Sequence, residues 1–419
     1  MTSAEMTYAE KRIHPELTTS LLWIMAIATG LIVANLYYNQ PLLDDMARTY
    51  HVSNSKVGQV AMFTQLGYAA GMLFLAPLAD MVRRKRLIML CLALATISLL
   101  FTAISPNINL LILASFLVGI FSLIPQLLIP MTAHLAKPEE RGSKIGFVMS
   151  GLLLGILLSR TIGGVIDSYF GWRAMFYIAA GIMVIIWLLL FFLLPEVEPE
   201  YKGTYKALMR SLLTLIKHEP ALRFAAIRGA LCFACFSAFW ATLVFLFSQN
   251  FKILFPSAHI FNNITLTPSL AAGLFGLIGA FGAIAASVMG RLSDKMDAFK
   301  LSTYTLLLIV VSFVVFIFSG NSIPGLIIGV IVLDMGVQAT HISNQSLIFA
   351  LHAGARNRIN TVYMVSYFIG GGIGTFLASI AWGLHGWVGV CVTGIILSGI
   401  AVIVHLLNHK IVQKIRRSV

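Results

Sequence analysis

Twelve times along this chain the residues stay apolar for close to the ~20 positions that carry a helix across the hydrocarbon core of a bilayer. These runs are residues 20–42, 57–79, 87–105, 109–133, 143–166, 172–194, 222–248, 268–290, 301–319, 323–350, 359–383 and 386–408. No other feature limits the fold as severely. Inside hydrocarbon every backbone N–H and C=O must find its partner within the protein, so a spanning segment of this length is a helix. The expected fold class is therefore all-α integral membrane, with twelve transmembrane helices and both termini on one side. Composition agrees, because the chain is 11% charged where a soluble domain carries about 25%.

The side follows from lysine and arginine, which are concentrated in the cytoplasmic loops of membrane proteins. Of 29 basic residues, 23 fall in the termini and in the loops after the even-numbered runs up to the tenth, and four (Arg48, Lys56, Arg173 and Lys252) fall in the opposite loops. Both termini are expected in the cytoplasm, and the net charge of +13 is a topology signal that calls for no nucleic-acid partner. The first run is too long for a cleaved leader and lacks a small-residue cleavage site. Cys232 and Cys235 form C-x-x-C inside the seventh run, but a structural zinc needs four ligands and nothing supplies the others, so no metal is expected.

The chain also repeats itself. Leu78-Ala79-Asp80 leads into Arg83-Arg84-Lys85-Arg86, and 214 residues later Gly290-Arg291-Leu292-Ser293-Asp294-Lys295 stands at the matching place. Arg141 corresponds to Arg356, and Gly171-Trp172 to Gly386-Trp387, each at an offset of 215. The expected organisation is a six-helix half over 1–194, a polar cytoplasmic linker over 195–221 and a second half over 222–419. Glycine or alanine four apart lets membrane helices approach closely. Such pairs occur at Gly67/Gly71, Gly151/Gly155, Ala272/Gly276/Ala280 and Gly370/Gly374, in runs 2, 5, 8 and 11, and once outside that pattern at Gly325/Gly329 in run 10. A three-helix period nested in each half is how many secondary transporters are built.

These residues resemble the major facilitator superfamily, and within it the twelve-helix drug:proton antiporter branch, over essentially the whole chain. The signature between the second and third helices of that family, G-x-L-a-D-r-x-G-r-k, is kept in part by Ala76 through Lys85, with Leu78, Asp80 and the basic end present. The resemblance implies that Asp80, Arg84 and Arg141 in one half, with Asp294 and Arg356 in the other, form a cytoplasmic gate. The antiporter frame g-x-x-x-G-P-x-i-G-G of the fifth helix is matched by Gly155 through Gly164, but Ser159 and Arg160 replace its Gly-Pro pair. In the fourth run Ser115 stands where the family has an arginine linked to proton exchange.

A charge at the centre of a membrane helix costs about 2.5–3.5 kcal/mol on insertion scales, so it faces a partner or a cavity. Asp334 is the one carboxylate well inside a run, and Asp334, Gln338, His341 and Gln345 lie at i, i+4, i+7 and i+11 on one face of the tenth. Such a stripe is either an internal hydrogen-bond network or the wall of a wet cavity with two groups able to take up a proton. The second reading is preferred, since a purely structural network rarely needs an ionisable group at that depth. At 1.5 Å rise per residue, Arg160 lies about 25 Å and Asp334 about 24 Å from the cytoplasmic ends of their helices. The two are level, and an interaction is expected. Arg228, nearer the end of the seventh run, is expected to snorkel to the surface. The remaining cavity candidates are Asn35, Tyr38 and Asn39 on one face of the first run, Gln126 between Pro125 and Pro130, and Phe236 with Trp240.

The expected function is secondary active transport by alternating access, foremost proton-coupled export of small organic molecules. The alternative is uptake or efflux of one defined metabolite, such as a sugar, an amino acid derivative or a siderophore. Small-molecule substrate, protons and lipid are the expected partners, with no cofactor, a functional monomer, and the bacterial cytoplasmic membrane as the location. An ATP-driven pump is disfavoured by the absence of a G-x-x-x-x-G-K-[ST] loop. A membrane enzyme is disfavoured by ionisable groups that are too few and too scattered, and a sensor by the lack of a soluble signalling domain.

Overall fold

The structure, a computed structural model, describes residues 17–199, 203–255, 259–260, 264–279, 298–352 and 355–408. It begins with α1 (Thr19–Ala34), a turn, a short 3₁₀ segment (Gln40–Leu42) and α2 (Leu43–Tyr50). Next come α3 (Asn54–Phe74), a second 3₁₀ segment (Pro77–Asp80), α4 (Arg84–Ile104), α5 (Ile108–Phe121), α6 (Pro125–Leu135), α7 (Arg141–Phe170) and α8 (Trp172–Leu193). After them stand α9 (Tyr205–His218), α10 (Pro220–Leu254) and the two-residue strands β1 (His259–Ile260) and β2 (Ile264–Thr265), paired antiparallel. The chain closes with α11 (Pro268–Gly279), α12 (Ala298–Phe318), α13 (Ile323–Phe349) and α14 (Arg356–Leu407). Among the described residues nine helices are long and apolar enough to cross a membrane. Large apolar side chains such as Phe192 and Phe318 face outward, 75% and 83% exposed, as lipid contact demands and water would penalise.

Helix ends follow local chemistry. Thr18, Ser53 and Asn107 each accept a hydrogen bond from a backbone N–H in the first turn of α1, α3 and α5, satisfying donors that a helix start leaves open. Gly171 separates α7 from α8 at φ +77°, and Gly386 breaks α14 at φ +58°, a backbone region that costs glycine little. Behind each glycine a buried tryptophan ties the turn down. Trp172 donates to Thr49 Oγ1 at 3.0 Å and Trp387 to the Phe316 carbonyl at 2.8 Å. The repeated Gly-Trp of the sequence is thus one device used twice, and it divides α14 between the last two apolar runs.

Two runs depart from continuous helices. The first stops at Ala34, and hydrogen bonds from Asn35, Leu36 and Tyr37 shift to the carbonyl three residues back. Asparagine competes for backbone groups and Pro41 has no N–H to continue the ladder, so residues 35–39 form a turn and do not share a helical face as expected. The fourth run breaks after Phe121, just ahead of Pro125, while Pro130 stays inside α6.

Glycine brings helices together wherever an added Cβ would strike backbone. Gly151 and Gly155 of α7 lie on Ala26 and Gly30 of α1, Gly370 and Gly374 of α14 on Ala230 and Ala234 of α10, and Gly67 and Gly71 of α3 on Phe116 and Ile120 of α5. Two further seams join early helices to late ones. Along the first, α3 meets α14 from Gly58 at Ser379 to Tyr68 at Phe368. Along the second, α7 meets α11 from Ser168 at Thr267 to Arg160 at Gly276. Both lie toward the end of the bundle that holds α2, where Arg48 Nη2 also donates to Ser248 Oγ of α10 at 2.9 Å.

Candidate functional site

Arg160 projects from the middle of α7 and is only 2% exposed. Its Nε donates to Gln40 Oε1 at 2.7 Å and its Nη1 to the Ile156 carbonyl at 3.4 Å. The guanidinium plane sits among three aromatic rings, with Cζ 4.3 Å from the centroid of Trp240, 5.0 Å from Tyr37 and 5.5 Å from Phe236. Desolvating such a cation costs several kcal/mol, and each aromatic face returns about 2 kcal/mol when water is excluded. Nη2 has no hydrogen-bond partner.

Trp240 has a second task. Its Nε1 donates to Asp334 Oδ1 of α13 at 3.4 Å, so one indole touches the cation with its face and the carboxylate with its edge. Asp334 is 4% exposed, and the two charges are close enough to act on each other. Glycine shapes the floor. A Cβ on Gly279 would collide with Asp334 Oδ2 and one on Gly276 would press on Arg160 Cβ at 3.1 Å, so α11 can lie against both groups only because these positions are glycine. The structure therefore brings together Arg160, Asp334, Phe236 and Trp240, and adds Tyr37 and Gln40. Those two escaped sequence reading because it assumed a helical wheel where the chain turns. Its marks were the run of polar and aromatic residues from Asn35 to Gln40 and Pro41.

His341 stands one layer away. Its ring lies tilted against Tyr367 at 4.7 Å, Tyr367 stacks on Phe233 at 4.1 Å and Phe233 on Phe236 at 5.5 Å, an aromatic chain that ends under Arg160. Its Nδ1 lies 2.9 Å from Tyr363 Oη. The direction of that bond follows from its neighbours. Arg228 only donates, through Nε at 2.8 Å and through Nη2, so the Asn344 atom facing it is oxygen and the Asn344 amide faces Tyr363 at 3.4 Å. Tyr363 accepts there, so its hydroxyl proton is free for His341 Nδ1.

Arg228 corrects an expectation. It is 2% exposed and does not snorkel, because α10 is packed on most sides and the side chain turns inward between α13 and α14. Nη1 donates to His405 Nδ1 at 2.9 Å, His405 Nε2 lies 3.0 Å from Thr303 Oγ1, and Phe224 covers the cation at 4.7 Å. Asn344, Tyr363 and His405 were missed, although an arginine at that depth signals that acceptors must lie on other helices.

The remaining candidates are dispersed. Asn35 Nδ2 points to Met183 Sδ at 3.4 Å and Asn39 Nδ2 donates to Thr64 Oγ1 at 2.8 Å. Tyr38 is buried, with its carbonyl beside Gly163. Gln126 Nε2 donates to Tyr68 Oη at 3.2 Å. Gln338 and Gln345 are half-buried on α13. Of the gate residues, Asp80 accepts from Arg84 Nη2 at 3.3 Å within its own loop. Arg141 donates to the Ala136 carbonyl and Arg356 to that of Phe349, each at the end of the preceding helix. Asp294 lies outside the described residues.

A helical membrane bundle with a buried cation and carboxylate meeting across one indole inside it is the architecture of a solute transporter. The chain belongs to the Major Facilitator Superfamily, whose model matches residues 25–375, and members of that family are transporters, not enzymes. It is 41% identical over 379 residues to the Uncharacterized transporter YgaY of Escherichia coli O157:H7, covering 90% of this chain and 93% of that protein. In fold it is similar to the nucleoside transporter NupG, with a TM-score of 0.72 at 15% identity over 92% of this chain and 98% of that one. It is also similar to the peptide transporter POT in complex with sulfate, with a TM-score of 0.72 at 14% identity over 96% of this chain and 97% of that one.

Proposed function

We propose that this protein is a proton-coupled secondary transporter of a small organic molecule that works by alternating access, with Asp334 as the proton acceptor, Arg160 as its electrostatic partner and His341 beside them. The arrangement of Arg160, Trp240 and Asp334 carries the reading. An ionised Asp334 answers the Arg160 charge across the indole, and a protonated one does not, so proton uptake changes what Arg160 can hold. Twelve crossings in two six-helix halves supply the moving parts. Supporting that division, α7 packs on α1 as α14 packs on α10, and the Gly-Trp turn recurs at the same offset. The seams at the α2 end join the halves there, so this arrangement is the state closed on that side. With both termini in the cytoplasm and a bacterial inner membrane, it is the inward-facing one, and a monomer suffices.

The antiporter-like frame of α7, with Ser159 and Arg160 in place of its Gly-Pro pair, supports export. The second reading, one defined metabolite, is favoured by the number of fixed contacts on Arg160, since a site built from a hydrogen-bonded, aromatic-walled cation selects more narrowly than an adaptable apolar chamber. The test is transport in proteoliposomes under an imposed pH gradient against a mixed panel of metabolites and drugs. Accumulation that collapses with the gradient, and that becomes insensitive to pH in Asp334→Asn, is the expected result. A solute carried equally with and without the gradient, by wild type and Asp334→Asn alike, would refute proton coupling.

A further inference from the structure

We propose that the solute is an organic anion, an aromatic or similarly flat carboxylate, whose carboxylate is received by Arg160 when Asp334 gives up its own claim on that cation. The proposal rests on the transporter reading and names its substrate class. A guanidinium carries five N–H donors and stays charged, so a buried one is stable only where acceptors meet it. Here Gln40 and one backbone carbonyl engage Nε and Nη1, while Nη2 is enclosed and unpartnered. No carboxylate among the described residues forms an ion pair with it. The nearest, Asp334, takes its hydrogen bond from the Trp240 indole whose face covers the guanidinium. The fork is therefore one carboxylate short. Around it, Trp240, Tyr37 and Phe236 present flat apolar surface, which suits a ring or a planar chain attached to the anion.

Charge decides against the opposite class. An amine entering here meets a fixed cation first, and among the described residues the only carboxylate it can reach is already opposed by that cation. An anion meets the reverse situation, with one condition. Two carboxylates on one buried guanidinium leave a net negative charge in low dielectric, whereas protonating Asp334 restores neutrality. Proton and anion thus load the same state and travel together, which is the coupling of symport and fits uptake of one defined metabolite, the second reading, and not antiport export. Among the described residues, the charged and titratable groups facing Asp334 are Arg160 on α7, Tyr367 on α14 and, two turns along its own helix, His341. None of them is a second anion that would mask the effect at neutral pH.

The test uses purified full-length protein in detergent and three matched probes: benzoate, benzyl alcohol and benzylamine, with binding read by calorimetry and by the melting temperature. Benzoate is expected to bind and to stabilise, with affinity rising by up to ~10-fold for each pH unit lowered while one proton is linked to binding. Asp334→Asn should bind benzoate at least 10-fold more tightly at neutral pH and lose the pH dependence, an outcome a merely structural role would not produce. Arg160→Gln should not bind it, and Arg160→Lys, which keeps the charge but not the fork, should bind it weakly while remaining folded. Saturable benzylamine binding equal to that of benzoate, no benzoate binding at all, or unchanged affinity in Asp334→Asn would overturn the proposal. Gradient-driven transport of a cationic solute would sink this inference and leave the transporter reading standing. Benzoate binding without any pH-coupled transport would do the reverse.

Discussion

The two buried arginines show how the same residue is used differently. Arg228 is enclosed by neutral acceptors, with Asn344 Oδ1 taking two of its donors and His405 Nδ1 a third. Removing it orphans both acceptors, at about 1–3 kcal/mol each. Arg228→Gln is therefore expected to lower the melting temperature markedly in detergent while leaving the pH dependence of transport unchanged in whatever protein remains folded. A changed pH profile with an unchanged melting temperature would show that Arg228 belongs to the coupling machinery. Arg160 keeps an unpartnered nitrogen at the level of Asp334, and substitutions there should show the opposite pattern. Depth along the helix was readable from the sequence, since rise per residue is fixed, and it placed Arg160 level with Asp334. Azimuth was not. Which neighbour a side chain meets depends on helix rotation and on the turn at 35–39, so Tyr37, Gln40 and Asn344 were invisible, as were the partners of Asn35 and Asn39, Met183 and Thr64.

At the scale of helices, small residues announce contacts because nothing else in lipid drives helices together as effectively as close backbone approach. The pairs read from the sequence in α3, α7 and α14 each meet backbone of a neighbour. What could not be read was the partner, because periodicity belongs to one helix and a contact belongs to two. The distinction yields a test. Gly374→Leu in α14 would drive a side chain into the Ala234 carbonyl of α10, and overpacking of this kind costs about 1–3 kcal/mol. Gly181→Leu in α8, where an added Cβ meets nothing within 4 Å, is its control. The expected outcome is a lower melting temperature and a smaller monodisperse fraction for Gly374→Leu alone. Equal behaviour of the two variants would mean that α10 and α14 are not held by this seam.

For the whole molecule, alternating access requires that the end closed here must open. The α7–α11 seam includes Ser168 Oγ and Thr267 Oγ1 at 2.7 Å, while α2 reaches α10 through Arg48 and Ser248. These are polar, partly exposed contacts, worth little individually, and a gate that must separate in every cycle is expected to be held by contacts of that kind. Cysteines at these two positions replace a direct side-chain contact across the seam, and their S–S bond forms at a Cβ separation of about 3.5–4.5 Å. The four native cysteines, Cys91, Cys232, Cys235 and Cys391, are buried, so Ser168→Cys with Thr267→Cys can be oxidised without removing them. Cross-linking should abolish transport in proteoliposomes, reductant should restore it, and either single substitution should be indifferent to oxidation. Substrate and proton should still bind to the cross-linked protein, because the Arg160 site lies beneath the clasp and depends on the opposite opening. Sustained transport by fully cross-linked protein would show that the seam between α7 and α11 never parts, and that solute takes a route other than the one that seam closes.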